Sequence, residues 1–432
     1  MKKLFFGGVH PAGRKELAGH DKPIPAPAPA QVVIPLRQHI GATCTPLVQV
    51  GDTVKMGQKI GDGAGLCVPV HASVSGTVTA IEPRPHISGV PVESIVIDND
   101  GLDTPAEEMQ AYRSHAQLSR QELLDIIHEA GIVGMGGATF PTDVKANVPL
   151  GQIDTVIVNG CECEPYITAD DCLMCSNAEE IIMGLRIMIR IAEPKRAIIA
   201  VEDNKPDAIR EIEKYLLDYP DVELAVLPAR YPQGAEKQLI AAVTGREVPS
   251  GKLPKDVGCV VFNAATYASI YKAVYEGKPL IERIVTVTGE GAAKPKNMLV
   301  RLGTPLSFLL KAAGGARAET IKIVAGGPMM GKAQKNLDAS VVKGTNGIVC
   351  LTKMTRVKDP VCIRCGKCAD SCPMKLQPLY LYRSEQAKDY DELRRLHIMD
   401  CVECGCCAYS CPAKISLVKS IRRAKAAIKG GK

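Results

Sequence analysis

Residues 362–373 read CIRCGKCADSCP and residues 401–412 read CVECGCCAYSCP. Both are C-x2-C-x2-C-x3-C-P. The spacing is chemically specific: three thiolates from one short loop reach three corners of a 4Fe–4S cubane. The fourth cysteine, followed by proline, points away to a neighbouring cluster. The two runs therefore interlock. The expected ligand sets are Cys362, Cys365, Cys368 and Cys411 for one cluster, and Cys401, Cys404, Cys407 and Cys372 for the other. Zinc, the alternative, usually takes paired C-x2-C units and leaves two intact runs with their terminal Cys-Pro unexplained. Cys406 is surplus to the pattern and is not expected to ligate.

The remaining chain is too long for one core. At 432 residues, two to four domains are expected. Hydrophobic content of 46% and charged content of 23% fit a soluble globular protein. Aromatics make up only 4%, with no Trp, which argues against stacking platforms for nucleic acid. The net charge of +6 is uninformative alone, but the tail after Cys411 carries Lys414, Lys419, Arg422, Arg423, Lys425, Lys429 and Lys432 and no acid. It reads either as a solvated helix face or as a docking surface for an acidic protein or anionic lipid. No apolar run reaches the ~18–20 residues of a membrane span. The stretch IIMGLRIMIRIA (181–192) holds Arg186 and Arg190 and reads as a buried amphipathic helix. The start MKKLFF has too short an apolar segment for a signal peptide, so a cytoplasmic topology is expected.

Between about 120 and 280, strands and helices alternate. DTVIVNG (154–160), RAIIAVED (196–203), VELAVLP (222–228) and GCVVFNA (258–264) read as strands. Helical stretches follow at 177–192, after Pro206, at 234–245 and at 266–277. Such alternation implies a mostly parallel sheet with ligand loops at the strand carboxyl ends. The loop GIVGMGGATFPTDVKAN (131–147) has Gly134, Gly136 and Gly137, whose backbone can approach a phosphate or flat ring, and Lys145, which can neutralise a phosphate. It follows a helix and is neither a Rossmann fingerprint nor a Walker loop, so a structural turn is the competing reading. NGCECEP (159–165) sets Glu162 and Glu164 two residues apart at a strand end, either as acceptors for ribose or flavin hydrogen bonds or as solvated loop charges.

The order of Gly134 to Lys145, Asn159 to Pro165, Gly234 with Glu236, and Asn263 with Thr266 resembles the flavoprotein (NADH-binding) subunit of respiratory complex I. That family's N-A-D-E-S-E-P is N-G-C-E-C-E-P here. The resemblance implies that Gly134, Gly136, Gly137, Lys145, Asn159, Asn263 and Thr266 hold FMN. It also implies that Glu162, Glu164 and Glu236 contact the flavin or the NADH ribose, with Gly234 completing the third loop. The family's G-E-E is Gly234-Ala235-Glu236 here, one carboxylate fewer.

The flanks redirect the assignment. FFGGVHPAGRKE (5–16) resembles the start of the C subunit of the Rnf ion-translocating electron transport complex. VQVGDTVKMGQKIGD (48–62) and VPVHASVSGTVTAIE (68–82) look like two halves of a barrel-sandwich of biotinyl/lipoyl type. The connecting GAGLC (63–67) has no Lys to modify. Residues 282–345 resemble a small SLBB β-grasp domain. The expected organisation is multidomain α/β: an N-terminal segment and barrel-sandwich hybrid (1–115), a Rossmann-like FMN/NADH domain (116–280), a β-grasp domain (281–348) and a two-cluster ferredoxin-like domain with basic tail (349–432). Cys161, Cys163, Cys172 and Cys175 are expected as free thiols, with a third metal site as the alternative. Cys44, Cys67, Cys259 and Cys350 read as buried small hydrophobes. His10, His71, His86 and His397 have no partner pattern and are given no catalytic role.

Taken over 1 to about 420, the Rnf resemblance implies a peripheral subunit of a membrane ferredoxin:NAD+ oxidoreductase, on the cytoplasmic side of the inner membrane. NAD(H), FMN and two 4Fe–4S clusters exchange electrons in it, with ferredoxin met indirectly through a partner subunit. No side chain is expected as general acid or base, since hydride transfer is cofactor chemistry. The competing readings are a soluble flavin/iron–sulfur cobalamin reductase and a non-enzymatic iron–sulfur electron adaptor.

Overall fold

The structure is a computed structural model that describes residues 5–110, 114–354 and 357–431; Lys432 of the basic tail lies outside them. Near the N-terminus, one antiparallel sheet has the order Gln31–Pro35, Val92–Asn99, Gly76–Arg84, Thr53–Val54, and a second has Thr45–Pro46, Lys59–Asp62, Val70–His71. Val32, Ile34, Ile60, Val70, Val78, Ile95 and Ile97, drawn from both sheets, share one core. This is the expected barrel-sandwich.

The central sheet is parallel throughout, in the order Val222–Leu227, Arg196–Glu202, Thr155–Gly160, Cys259–Asn263. Its strands are apolar on both sides because both faces are covered. Val156, Val158, Ile199, Val260 and Phe262 enter one core, while the alternate residues Ile157, Ile198, Ala200 and Val261 enter another. The helix expected across 177–192 forms as Ala178–Ala192, and a separate short helix, Ala169–Ser176, precedes it across Asn177. Ala178–Ala192 packs closely on Ala264–Glu276. A Cβ at Gly184 would collide with the Tyr267 carbonyl, so glycine sets that approach.

A mixed six-stranded sheet follows, in the order Ile24–Pro25, Lys296–Arg301, Glu282–Thr288, Gly347–Leu351, Lys322–Ala325, Lys332–Gln334, with the helix Leu306–Ala312 beside it. Its strand Gly347–Leu351 runs across the 348/349 division expected from sequence. The proline-containing Ile24–Pro25 sits at an edge, where a missing N–H costs no ladder bond.

The C-terminal module is helical. Two helices, Pro378–Ala387 and Tyr390–Arg395, fill the link between the cysteine runs, where only the second half was expected to be helical. The basic tail forms Leu417–Lys429. Its Ile421 and Ala424 are buried with Leu381, Leu393 and Ile398. Three of its cations are paired inside the module: Arg422 and Lys425 with Glu403 at 2.8 and 2.9 Å, and Arg423 with Glu385 at 2.8 Å. The tail is thus first a packing element. No helix among the described residues is long and apolar enough to cross a membrane.

This packing makes a test possible. Ile421→Ala should cost about 2–5 kcal/mol, the range for a buried Ile-to-Ala change, while Lys419→Ala should stay within about 0.5 kcal/mol. Denaturant melts followed by the iron–sulfur absorbance will show it; equal midpoints for the two variants would contradict the packing.

Candidate functional site

The strand order is the doubly wound one, with chain order reversing between Thr155–Gly160 and Cys259–Asn263. Loops leave the two strands in opposite directions there, which opens a crevice at the carboxyl ends. Asn159 and Asn263 are direct register partners at that edge. The Asn263 side chain accepts from the Ala265 amide at 2.9 Å, capping its helix, and donates to Asp170 at 2.6 Å. The Asn159 amide donates to the Gly234 carbonyl at 2.8 Å.

The glycine-rich loop lies across this crevice. The Met135 amide donates to the Thr266 hydroxyl at 3.0 Å, and Gly136 sits close against Asn263. The loop is closed on itself by Gly134 N to Phe140 O at 2.9 Å. A Cβ at Gly137 would meet nothing within 4 Å and faces open space, whereas at Gly134 it would rest in ordinary contact with the Phe140 backbone at 3.8 Å. Lys145, on the short helix Thr142–Ala146, pairs with Glu236 and donates to the Val261 carbonyl at 2.6 Å. Gly234 has a different reason to be glycine: a side chain there would collide with the Cys161 carbonyl.

Glu162 and Glu164 are not solvated loop charges. Glu162 is 6% exposed. It accepts from the Asp170 and Asp171 amides at 2.8 and 3.3 Å, at the start of Ala169–Ser176. Lys15 reaches across from the N-terminal segment to the carbonyls of Glu162 and Glu164, at 2.8 and 3.2 Å. Lys205, wholly buried, pairs with Glu202 at 2.8 Å and reaches the Glu162 carbonyl at 3.4 Å. Glu164 accepts from the Met329 and Met330 amides at 3.1 and 2.8 Å, and burial raises its pKa to about 7 against the pull of those amides. Asp170 is likewise pushed up, by burial first and by the Glu162 charge second. Gln233 is fully buried, and both of its amide atoms lack partners. Lys15, Asp170, Lys205 and Gln233 went unassigned in the sequence. Only Lys15 carried a signal, by lying in the FFGGVHPAGRKE start.

The two cysteine runs fold alike. Left-handed backbone recurs at Arg364 and Glu403, Gly366 and Gly405, and Lys375 and Lys414. These turns aim amides at sulfur: Arg364 N to Cys362 Sγ, Glu403 N to Cys401 Sγ and Leu376 N to Cys372 Sγ are each 3.4 Å. Cys411 packs with Cys407, Cys362 and Cys368, and Cys372 packs with Cys401, so each run sends its last cysteine toward the other. Cys406 is fully buried beside Tyr231. The second run and the Cys372 end of the first are held against the central domain and the N-terminal segment. The Tyr231 hydroxyl donates to the Cys404 carbonyl at 2.7 Å, Gly8 N donates to Ser371 O at 3.0 Å, and Gln238 donates to the Pro373 carbonyl at 3.3 Å. Cys365 of the first run is exposed, flanked by exposed Val361 and Ile363.

Cys161, Cys163, Cys172 and Cys175 do not converge among the described residues. Cys161 joins an apolar core, Cys163 accepts from Gly234 N at 3.4 Å, Cys172 donates to Asp21 O at 2.9 Å and Cys175 lies 3.9 Å from Asp171. Free thiols fit these separate surroundings.

Comparison with known proteins matches residues 3–102 to the RnfC barrel sandwich hybrid domain and 127–272 to the Nuo51 FMN-binding domain. It also matches 284–333 to the SLBB domain and 361–415 to the 4Fe-4S dicluster domain. The chain is 47% identical over 428 residues to the C subunit of the Na(+)-translocating ferredoxin:NAD(+) oxidoreductase complex of Acetobacterium woodii, covering 98% of this chain and 97% of that one. It is 47% identical over 399 residues to the proton-translocating counterpart of Clostridium ljungdahlii, covering 91% and 87%. It is 43% identical to the C subunit of the ion-translocating oxidoreductase complex of Salmonella arizonae, covering 98% of this chain but 64% of that longer one. Among solved structures, an NAD+-reducing NiFe hydrogenase in the air-oxidized state is similar in fold, with TM-score 0.53 and 18% identity over 76% of this chain and 69% of that one.

Two outcomes follow from the geometry. Gly134→Ala should leave the melting temperature nearly unchanged while lowering bound flavin, whereas Gly234→Ala should cost about 1–3 kcal/mol through overpacking; calorimetry with flavin quantitation separates them, and equal effects on both readouts would refute the assignment. Cys372→Ser should leave the same residual EPR signal as Cys404→Ser, because both strike one cluster. A signal matching that of Cys368→Ser instead would show uncrossed ligation.

Proposed function

The chain belongs to the family of C subunits of ion-translocating ferredoxin:NAD(+) oxidoreductase complexes, and on that premise we propose how its residues serve electron exchange with NAD(H). Its cofactors are FMN and two 4Fe–4S clusters. When bound, FMN links the two-electron hydride of NAD(H) to the one-electron steps of the clusters.

The chain's own residues supply a shaped and charged receptacle. Gly134, Gly136 and Gly137 give backbone donors and space. Asn159, Asn263 and Thr266 fix the floor of the crevice, and Lys145 offers a cation for the phosphate, held in place by Glu236. Glu162 and Glu164 brace the opposite wall, and Gly234 lets that wall approach Cys161. The observation that carries this reading is the convergence at one switch point. Asn159 and Asn263 pair in register beneath a glycine-rich loop whose Gly137 faces open space. The residues also fit the cofactors chemically: Gln233 holds an unpartnered buried amide, and the last cysteine of each run packs with cysteines of the other. No proton donor or acceptor is required of the protein.

The chain is a subunit of a membrane-associated complex and works there with the other subunits. We place it peripherally on the cytoplasmic face of the inner membrane, with the first cysteine run turned toward a partner subunit that meets ferredoxin. The match of residues 3–102 to the family's own N-terminal domain disfavours the cobalamin reductase reading.

Anaerobically purified protein should be yellow-brown, with stoichiometric flavin and ~8 irons per chain, and should reduce a dye with NADH. Lys145→Ala and Asn263→Ala should lower bound flavin and NADH-dependent dye reduction while leaving iron unchanged. A flavin-free, NADH-inert protein with full iron would leave only the adaptor reading.

A further inference from the structure

Away from the flavin crevice and the clusters, the barrel-sandwich holds a second convergence of ligand atoms. His39, Cys44 and Cys67 are all buried, and one ligand atom from each lies within 4.8 Å of the other two. From these residues we propose a structural zinc site that ties the 63–67 hairpin to the segment after Gln31–Pro35.

The spacing favours a metal over a disulfide. Two thiolates on one tetrahedral zinc, each about 2.3 Å from it, stand about 3.8 Å apart. The Cys44 and Cys67 sulfurs are 3.5 Å apart. A disulfide requires about 2.05 Å, an approach of well over 1 Å inside a packed core. The imidazole supplies the third ligand. Its Nε2 lies 3.4 Å from the Val68 amide, the residue next to Cys67, and its Nδ1 is buried without a partner. The backbone holds these segments together by itself: Ala42 N donates to Leu66 O at 2.8 Å, and Cys44 N to Leu36 O at 3.1 Å. Such a preformed site loses little entropy on binding. The fourth position is left for water or for the Val68 carbonyl, which lies 3.4 Å from Cys44 Sγ.

Binding replaces two thiol protons with one divalent ion, so the metal and its thiolates are together neutral. The buried Lys343 ammonium, which donates to Pro69 O at 2.7 Å and Gly131 O at 2.6 Å, interacts electrostatically with both sulfurs and would face thiolates in place of thiols. The site adjoins the flavin loop, since Ile40 N donates to Thr139 O at 3.1 Å and Gly131 opens the glycine-rich segment. A metal there would stiffen the loop's outer support, a structural role with no part in electron transfer.

The test uses the full chain, purified anaerobically with its clusters intact, given one equivalent of Zn2+ and desalted. Elemental analysis should find about one zinc beside ~8 irons. Cys44→Ser and Cys67→Ser should each lower zinc at least five-fold with iron unchanged. Zinc-edge absorption on the unaltered protein should show two sulfurs at about 2.3 Å with nitrogen or oxygen completing the shell, a readout that holds even if a variant fails to fold. Zinc below a tenth of an equivalent, zinc retained in folded variants, a four-sulfur shell, or a Cys44–Cys67 disulfide by mass spectrometry would each overturn the proposal.

Discussion

A carboxylate taken out of water must be met by donors and opposite charge, or it shifts its proton and destabilises its surroundings. Glu162 imposes that condition at the carboxyl end of the central strand, and much of the molecule answers it. Two amides at the start of Ala169–Ser176 supply hydrogen bonds where the helix dipole also favours negative charge. Lys15 and Lys205 both bring cations to it. Lys15 belongs to the N-terminal segment, so meeting the charge draws that segment over the domain. A few residues earlier the same segment pairs Val9 with Tyr231 and bonds Gly8 to Ser371. The buried charge and the seating of the cluster module are thus joined through one strap of chain.

What was legible in the sequence was local. The four parallel strands stood out as short apolar runs because both faces of the sheet are covered, and each ends at a turn residue or polar side chain. The barrel-sandwich halves showed strand alternation around glycine turns. The elements that escaped depend on distant partners. Ile24–Pro25 is a strand only because Met298 and Leu299 run beside it, and Gly347–Leu351 only because Thr286 to Thr288 and Lys322–Ala325 flank it. The short helix Ala169–Ser176 also escaped, since its eight residues are too few to show an apolar periodicity. Pro378 opens a helix that the sequence does not announce, since at the first turn proline lacks only an N–H that has no partner there anyway.

The site divides in the same way. Cysteine spacing encodes cluster geometry within a dozen residues, so the two runs could be picked out directly. The flavin crevice is assembled across more than a hundred residues, from Met135 to Thr266 and from Lys145 to Val261. Its glycines and asparagines were identifiable only through their order along the chain. Lys15, Lys205 and Asp170 have no local pattern at all; their roles exist only once Glu162 is buried among them.

The two cysteine runs make the reverse point, because nearly identical motifs end in unlike places. The left-handed turns match position for position, as do the amide-to-sulfur bonds at Cys362 and Cys401, so the motif by itself would build two equivalent clusters. Their surroundings differ. Tyr231, Met329 and the Leu417–Lys429 helix enclose the second run, and Lys425 donates to the Cys401 carbonyl at 2.9 Å. The first run keeps Cys365 at the surface, with Val361 and Ile363 uncovered. Exposure and hydrogen bonding set the potential of an iron–sulfur cluster as much as its ligands do. The domain packing, not the repeat, therefore makes the two runs inequivalent: the second is seated against Tyr231 and Met329, and the first leaves Cys365 at the surface.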